Sequence, residues 1–215
     1  FKELNVYANR FAAYLVHEAG LEKGDRIALQ MPNLLQYPVC VIGALKAGLV
    51  IVNTNPLYTA REMEYQFRDA GVKAIVILEN FAGKLESILP GLENLEKVIV
   101  TTMGDMLGPV KGRVINLLLR HVKRMVPRYN IHGVIRFRDA IRFDSGLPLD
   151  RSVSGEDLAF LQYTGGTTGT SKGAMLTHRN LLANATQHHI WLKHLLEEGK
   201  ELVVTALPLY HIFAL

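Results

Sequence analysis

Apolar and polar positions follow two alternating rhythms along the first hundred residues. Leu4, Tyr7, Phe11 and Leu15 recur at helical spacing, and Gly20 can end that helix. Arg26–Met31 reads as a strand, followed by a helical stretch from about Leu34 to Ala47. Leu49–Val52, Lys73–Leu78 and Lys97–Thr101 are further short aliphatic runs, with helical segments near Ala60–Ala70 and Phe81–Leu89 between them. Strand starts at 26, 49, 73 and 97 recur roughly every 24 residues, the rhythm of successive βα units on a parallel sheet. The rhythm breaks between about Met103 and Ser154. A second strand set (158–163, 174–177 and 201–207) then surrounds a helical run over Arg179–Leu196. The pattern therefore predicts an α/β protein of two parallel-type βα subdomains. Residues 1–101 form the first, 102–155 a basic amphipathic insertion, and 156–215 the start of a second sheet.

The most distinctive chemistry lies between two of these strands. Tyr163, Thr164, Gly165, Gly166, Thr167, Thr168, Gly169, Thr170, Ser171, Lys172 and Gly173 form a hydroxyl-dense glycine loop with one lysine near its end. Gly165, Gly166 and Gly169 let the backbone turn sharply and approach a ligand without a Cβ in the way. Backbone N–H groups, side-chain hydroxyls and the Lys172 ammonium together suit a polyphosphate. A Walker-type loop places its lysine directly after glycine and opens onto a helix. Here Ser171 precedes Lys172, and the helical pattern begins only near His178. A plain hairpin turn needs two to five residues rather than this run.

This loop resembles the phosphate loop of the acyl-adenylate-forming enzymes, whose members include acyl-CoA synthetases, luciferases and peptide-synthetase adenylation domains. Leu45–Pro56 is similar to an upstream motif of that family, and Pro208–Leu215 to its next downstream one. Asn55-Pro-Leu-Tyr-Thr59 and Thr177-His-Arg-Asn180 look most like the bacterial long-chain fatty acyl-CoA synthetases. The resemblance implies a two-step reaction. A fatty carboxylate attacks the α-phosphorus of Mg-ATP to give acyl-AMP and pyrophosphate, and the coenzyme A thiol then displaces AMP. It further implies that residues 163–173 hold the β,γ-phosphates, that Lys172 offsets their charge, and that Thr164 helps ligate Mg2+. Tyr210 and His211 would border the carboxylate site, with the aromatic gating the pantetheine path; packing of Tyr210 in the core with His211 capping a turn is the competing reading. Two other functions stay open: a ligase for a different carboxylic acid, and a non-catalytic module that binds phosphate or a membrane. The family's later elements have no counterpart here and both ends look cut, so these 215 residues are not expected to complete adenylation alone.

Composition narrows the setting. One cysteine, Cys40, excludes an internal disulfide, fits a reducing compartment, and sits in an apolar run as a buried structural thiol. With no signal-peptide pattern and no run of ~18 uncharged apolar residues, a cytoplasmic protein without a transmembrane helix is expected. His188, His189 and His194 lack acidic partners at metal-binding spacing, so solvated or capping histidines are expected there.

Charge is uneven. Residues 109–138 hold eight of the 24 Lys and Arg and no carboxylate, leaving 16 cations against 20 acids elsewhere. Projected as a helix, Val114, Ile115, Leu118, Leu119, Val122, Met125 and Val126 share a broad face, opposite Arg113, Arg120, Lys123 and Arg124, up to Pro127. Such a helix can lie in the headgroup region of an anionic membrane, through 109–128, or dock its apolar face on the protein's own sheet. Nucleic acid is not expected, because interleaved aromatics and a reader motif are missing.

Overall fold

The computed structural model describes residues 1–149, 151–164, 171–195, 197, 199–202, 204 and 206–211. Its strands are β1 (Arg26–Gln30), β2 (Val50–Asn53), β3 (Val72–Leu78), β4 (Lys97–Thr101), β5 (Ile135–Arg136), β6 (Leu158–Thr164) and β7 (Lys172–Thr177). Its helices are α1 (Lys2–Ala13), α2 (Gln36–Lys46), α3 (Ala60–Ala70), α4 (Ala82–Ile88), α5 (Pro109–Leu117), α6 (Phe137–Ala140) and α7 (His178–Leu192). Single π turns extend α1 over Tyr14–Glu18 and α5 over Leu118–Val122.

The strands form one sheet in the order β5-β4-β3-β1-β2-β6-β7. Every pairing is parallel except β6 with β7. Period-two alternation decides what each strand buries. Ile27, Leu29, Ile51, Ala74 and Val76 join one core cluster with Phe11, Leu15, Cys40 and Ala44 of the α1–α2 layer. The intervening Ala28, Val52, Ile75 and Ile77 join a second cluster with Met63 and Phe67 of α3 and Leu85 of α4. The strands are apolar on both sides because helices cover both faces. Chain direction accounts for the two layers. Crossovers are right-handed, so the step from β1 to β2 through α2 and the reverse step from β2 past β1 to β3 through α3 put the helices on opposite faces.

Local chemistry sets the helix ends that matter here. Thr59 and Glu62 form a reciprocal capping box at the start of α3, and Gly71 closes it in the left-handed region at φ 62°. Thr177 and Asn180 form the corresponding box at α7, so that helix starts where the sequence pattern places it. Cys40 is fully buried, and burial pushes its thiol pKa up, as its apolar run implies.

Five expectations are corrected. The strands at 158–164 and 172–177 do not begin a second sheet: β6 pairs with β2 over Ile51–Asn53. The buried edge of β2 needs a neighbour for its N–H and C=O groups, and hydropathy cannot tell which strand supplies it. Among the described residues of 201–207 no strand forms, and Leu202 and Val204 stand exposed. The basic helix ends at Val122 rather than at Pro127, with Arg124 in the left-handed region at φ 51°. Its face also divides. Ile115 turns partly inward beside Gly112, while Val114, Leu118, Val122 and Met125 remain exposed. Arg120, placed on the solvent side by the projection, reaches inward to pair with Glu79.

Candidate functional site

Because β1, β2, β3, β4 and β6 run in the same direction, their last residues line one edge of the sheet. That is the edge where open α/β sheets hold ligands. The glycine- and threonine-rich loop leaves the end of β6 at this edge and returns along β7. Gly165, Gly166, Thr167, Thr168, Gly169 and Thr170 lie outside the described residues. The base of the loop is described.

Thr164 faces Lys172, and Tyr163 faces Gly173, across the antiparallel pair. The Ser171 hydroxyl donates to the Thr164 carbonyl at 2.9 Å, closing the mouth of the loop. Helix α3 braces the same base from outside: the Tyr65 hydroxyl donates to the Ser171 carbonyl at 3.1 Å, and the Tyr163 hydroxyl donates to Asp69. Burial, reinforced by the bond to Asp69 and its negative charge, pushes the Tyr163 phenol pKa up, so it stays a donor. Gly173 is needed where it stands. A Cβ there would lie 3.0 Å from the Tyr163 ring, tighter than ordinary contact. Thr164 and Lys172 are exposed at the mouth, where a hydroxyl and an ammonium can meet a phosphate.

A second group of residues went unnoticed in the sequence. Each of three apolar strands ends on, or just before its end carries, a buried amide: Gln30 in β1, Asn53 in β2 and Gln162 in β6. Asn53 donates to Gln162 Oε1 at 3.0 Å, and its carbonyl accepts from Gln66 of α3 at 2.9 Å. The Tyr37 hydroxyl of α2 lies 2.8 Å from both Asn53 Oδ1 and the Leu209 carbonyl, so it can donate to either. Gln162 donates to the Tyr210 carbonyl at 3.1 Å, while Asn33 holds Leu209 N–H at 2.8 Å and the Leu207 carbonyl at 2.9 Å. This amide network carries the downstream segment to the same edge as the loop. The available signal was a polar residue closing each aliphatic run. Tyr210 is half-buried against the core and His211 is exposed, its N–H closing a turn to the Pro208 carbonyl at 2.9 Å.

The residues suit Mg2+ only in part. Thr164 offers one hard oxygen, and among the described residues no group of three His, Cys, Asp or Glu could hold a metal. An ion that keeps several waters and binds through substrate phosphates asks little more of the protein at this point.

A mostly parallel sheet with helices on both faces and a glycine- and threonine-rich loop leaving β6 makes this an α/β protein whose ligand side is the carboxyl edge of the sheet. The sequence profile described as AMP-binding enzyme matches residues 1–215, so the chain belongs to the AMP-binding enzyme family. It is 54% identical over its whole length to a long-chain-fatty-acid–CoA ligase of Salmonella typhimurium and 46% identical to one of Haemophilus influenzae. It spans 38% and 39% of those relatives. Among solved structures, ATP-bound MatB from Rhodopseudomonas palustris superposes with a TM-score of 0.75 at 27% identity, over all of this chain and 36% of that one. A long-chain-fatty-acid–CoA ligase from Archaeoglobus fulgidus shares the fold, with a TM-score of 0.75 over 98% of this chain and 36% of that one. Among the described residues no helix is long and apolar enough to cross a membrane.

Proposed function

We propose that the protein containing this chain activates long-chain fatty acids as acyl-AMP with Mg-ATP and passes the acyl group to coenzyme A. The observation that carries this reading is the loop 163–173, rooted by α3 at the carboxyl edge of the sheet, in a chain 46–54% identical to ligases of that name. A fatty carboxylate oxygen attacks the α-phosphorus and pyrophosphate leaves. The thiol sulfur of coenzyme A then attacks the acyl carbon, AMP departs with the bonding pair, and the thiol proton goes to solvent. Residues 163–173 hold the β,γ-phosphates and Lys172 offsets charge as pyrophosphate leaves, a positioning and electrostatic role. Thr164 supplies an oxygen to Mg2+ at the loop mouth. Tyr210 and His211 border the carboxylate, with Tyr210 gating the thiol's approach.

Within residues 102–155 the stretch 109–128 acts as the basic element, while β5 and α6 belong to the sheet and its core. Peripheral contact with an anionic membrane through 109–128, on the cytoplasmic side of the inner membrane, completes the reading. Fatty-acid-dependent ATP–pyrophosphate exchange on the intact protein tests it. Exchange should be strongest with palmitate, weaker with octanoate and acetate, and abolished in a folded Lys172→Ala, Thr168→Ala variant. Exchange absent with every fatty acid would overturn the reading.

A further inference from the structure

Exposed apolar side chains are not scattered evenly over the two edges of the sheet. At the carboxyl edge, Leu35 follows β1, Leu57 follows β2 and Leu107 follows β4, all exposed. The basic helix continues this set. Val110 is 72% exposed, Leu117 60% and Val122 64%, with Val114 and Leu118 between them. On the helical projection Arg113 borders this stripe on one side, Lys111 stands within it between Leu118 and Val122, and Lys123 and Arg124 follow the helix end, all exposed. At the amino edge, the described loops 19–25, 47–49 and 89–96 expose no large apolar side chain and carry exposed charges of both signs, Glu22, Lys23, Glu93 and Glu96.

The helix is held so that the stripe faces outward. Gly112 lies against Gly104, where an added Cβ would come within 2.2 Å of the Gly104 carbonyl oxygen. Asn116 accepts from Gly104 N–H and donates to the Thr102 hydroxyl, each at 2.8 Å. Arg120 pairs with Glu79, and Asn80 donates to the Met125 carbonyl at 2.9 Å. All these anchors follow β3 or β4 at the carboxyl edge. Four strand spacings, about 19 Å, separate β4 from β6, so the helix that follows β4 and the base of the loop that follows β6 belong to the same edge of the sheet.

We infer that Val110, Val114, Leu117, Leu118 and Val122, with Lys111 among them and Arg113, Lys123 and Arg124 beside them, form a lipid-inserting face that turns the carboxyl edge of the sheet toward an anionic bilayer. This deepens, and rests on, the proposed membrane contact through 109–128. An apolar stripe beside cations is the arrangement that lies in the plane of a headgroup layer, and anionic lipid adds attraction for each cation near the surface.

The test uses the intact protein and vesicles of 3:1 phosphatidylethanolamine and phosphatidylglycerol, with phosphatidylcholine vesicles as the neutral comparison. Partitioning should be at least tenfold weaker on neutral vesicles, and at least tenfold weaker for either Val114→Gln, Leu117→Gln or Lys111→Gln, Lys123→Gln. An environment-sensitive dye attached at Val114→Cys should brighten and shift to the blue on anionic vesicles, while the same dye at Glu93→Cys should not. Equal partitioning of wild type and both variants overturns the inference. So does a Val114→Cys dye already shielded without lipid, which would mean that protein covers this face, or an equal response at Glu93→Cys. ATP–pyrophosphate exchange measured without lipid reports the ligase reading separately, so failure of one is distinguishable from failure of the other.

Discussion

Removing the Arg120 guanidinium should destabilise the basic helix through the carboxylate that it leaves behind. Glu79 sits directly after β3 with its side chain only 2% exposed, whereas the side chain of Arg120 is 53% exposed. Burial pushes the Glu79 carboxyl pKa up from 4.5; the hydrogen bond and charge of Arg120 pull it only part of the way back, and Asp105 adds to the rise. Breaking a fully buried pair costs about 3–5 kcal/mol. Half of this pair is in water, so Arg120→Ala should cost about 1–3 kcal/mol.

The pH dependence identifies the cause. A carboxyl whose folded pKa lies above its unfolded value carries no penalty below the unfolded value, where both states are protonated, and loses stability as pH rises through the folded value. Arg120→Ala raises the folded value further, so its deficit should be larger at pH 8 than at pH 5. Glu79→Gln in the Arg120→Ala background should recover most of the loss, because a neutral amide has no ionic desolvation cost. Hydrogen exchange of residues 109–122 at the two pH values, alongside urea unfolding of the four proteins in the double-mutant cycle, measures both effects. A deficit equal at pH 5 and pH 8, or one that Glu79→Gln does not relieve, would refute the reasoning.

Two further outcomes follow from contacts around the site. Gly112→Ala should lift the basic helix from Gly104 at a cost of about 1–3 kcal/mol, read as faster exchange over 109–122 with β6 and β7 unchanged. Tyr65→Phe removes the donor to the Ser171 carbonyl, a net bond of about 1 kcal/mol, so KM for ATP should rise about fivefold while Tm falls by no more than a few degrees. An unchanged KM would show that α3 does not hold the loop.

The candidate loop was the part of the site most open to local reading, because the glycine, threonine and lysine spacing of 163–173 stands in contiguous residues; the structure describes its base at Thr164 and Ser171–Gly173. The buried amides were far less so. Asn53, Gln162 and Tyr37 are separated by up to 125 positions, and none forms a motif with another until β2 and β6 pair and α2 packs beside them. Arg120 shows the same limit, because a projected helix reports which residues share a face but not which face the sheet claims.

By itself the sequence determined the elements of the first hundred residues and the two-sided burial of their strands, because period-two and helical spacing are written in consecutive residues. It also determined where α3 and α7 start, since Thr59 with Glu62 and Thr177 with Asn180 make caps from neighbours three positions apart. Only the tertiary structure decided that β6 completes the sheet at the edge of β2, that 201–207 forms no strand among its described residues, and that the basic helix presents Val110, Val114 and Leu117 outward. Those outcomes depend on which backbone edge or sheet end is unfilled, a quantity set by the whole assembly and carried by no single segment.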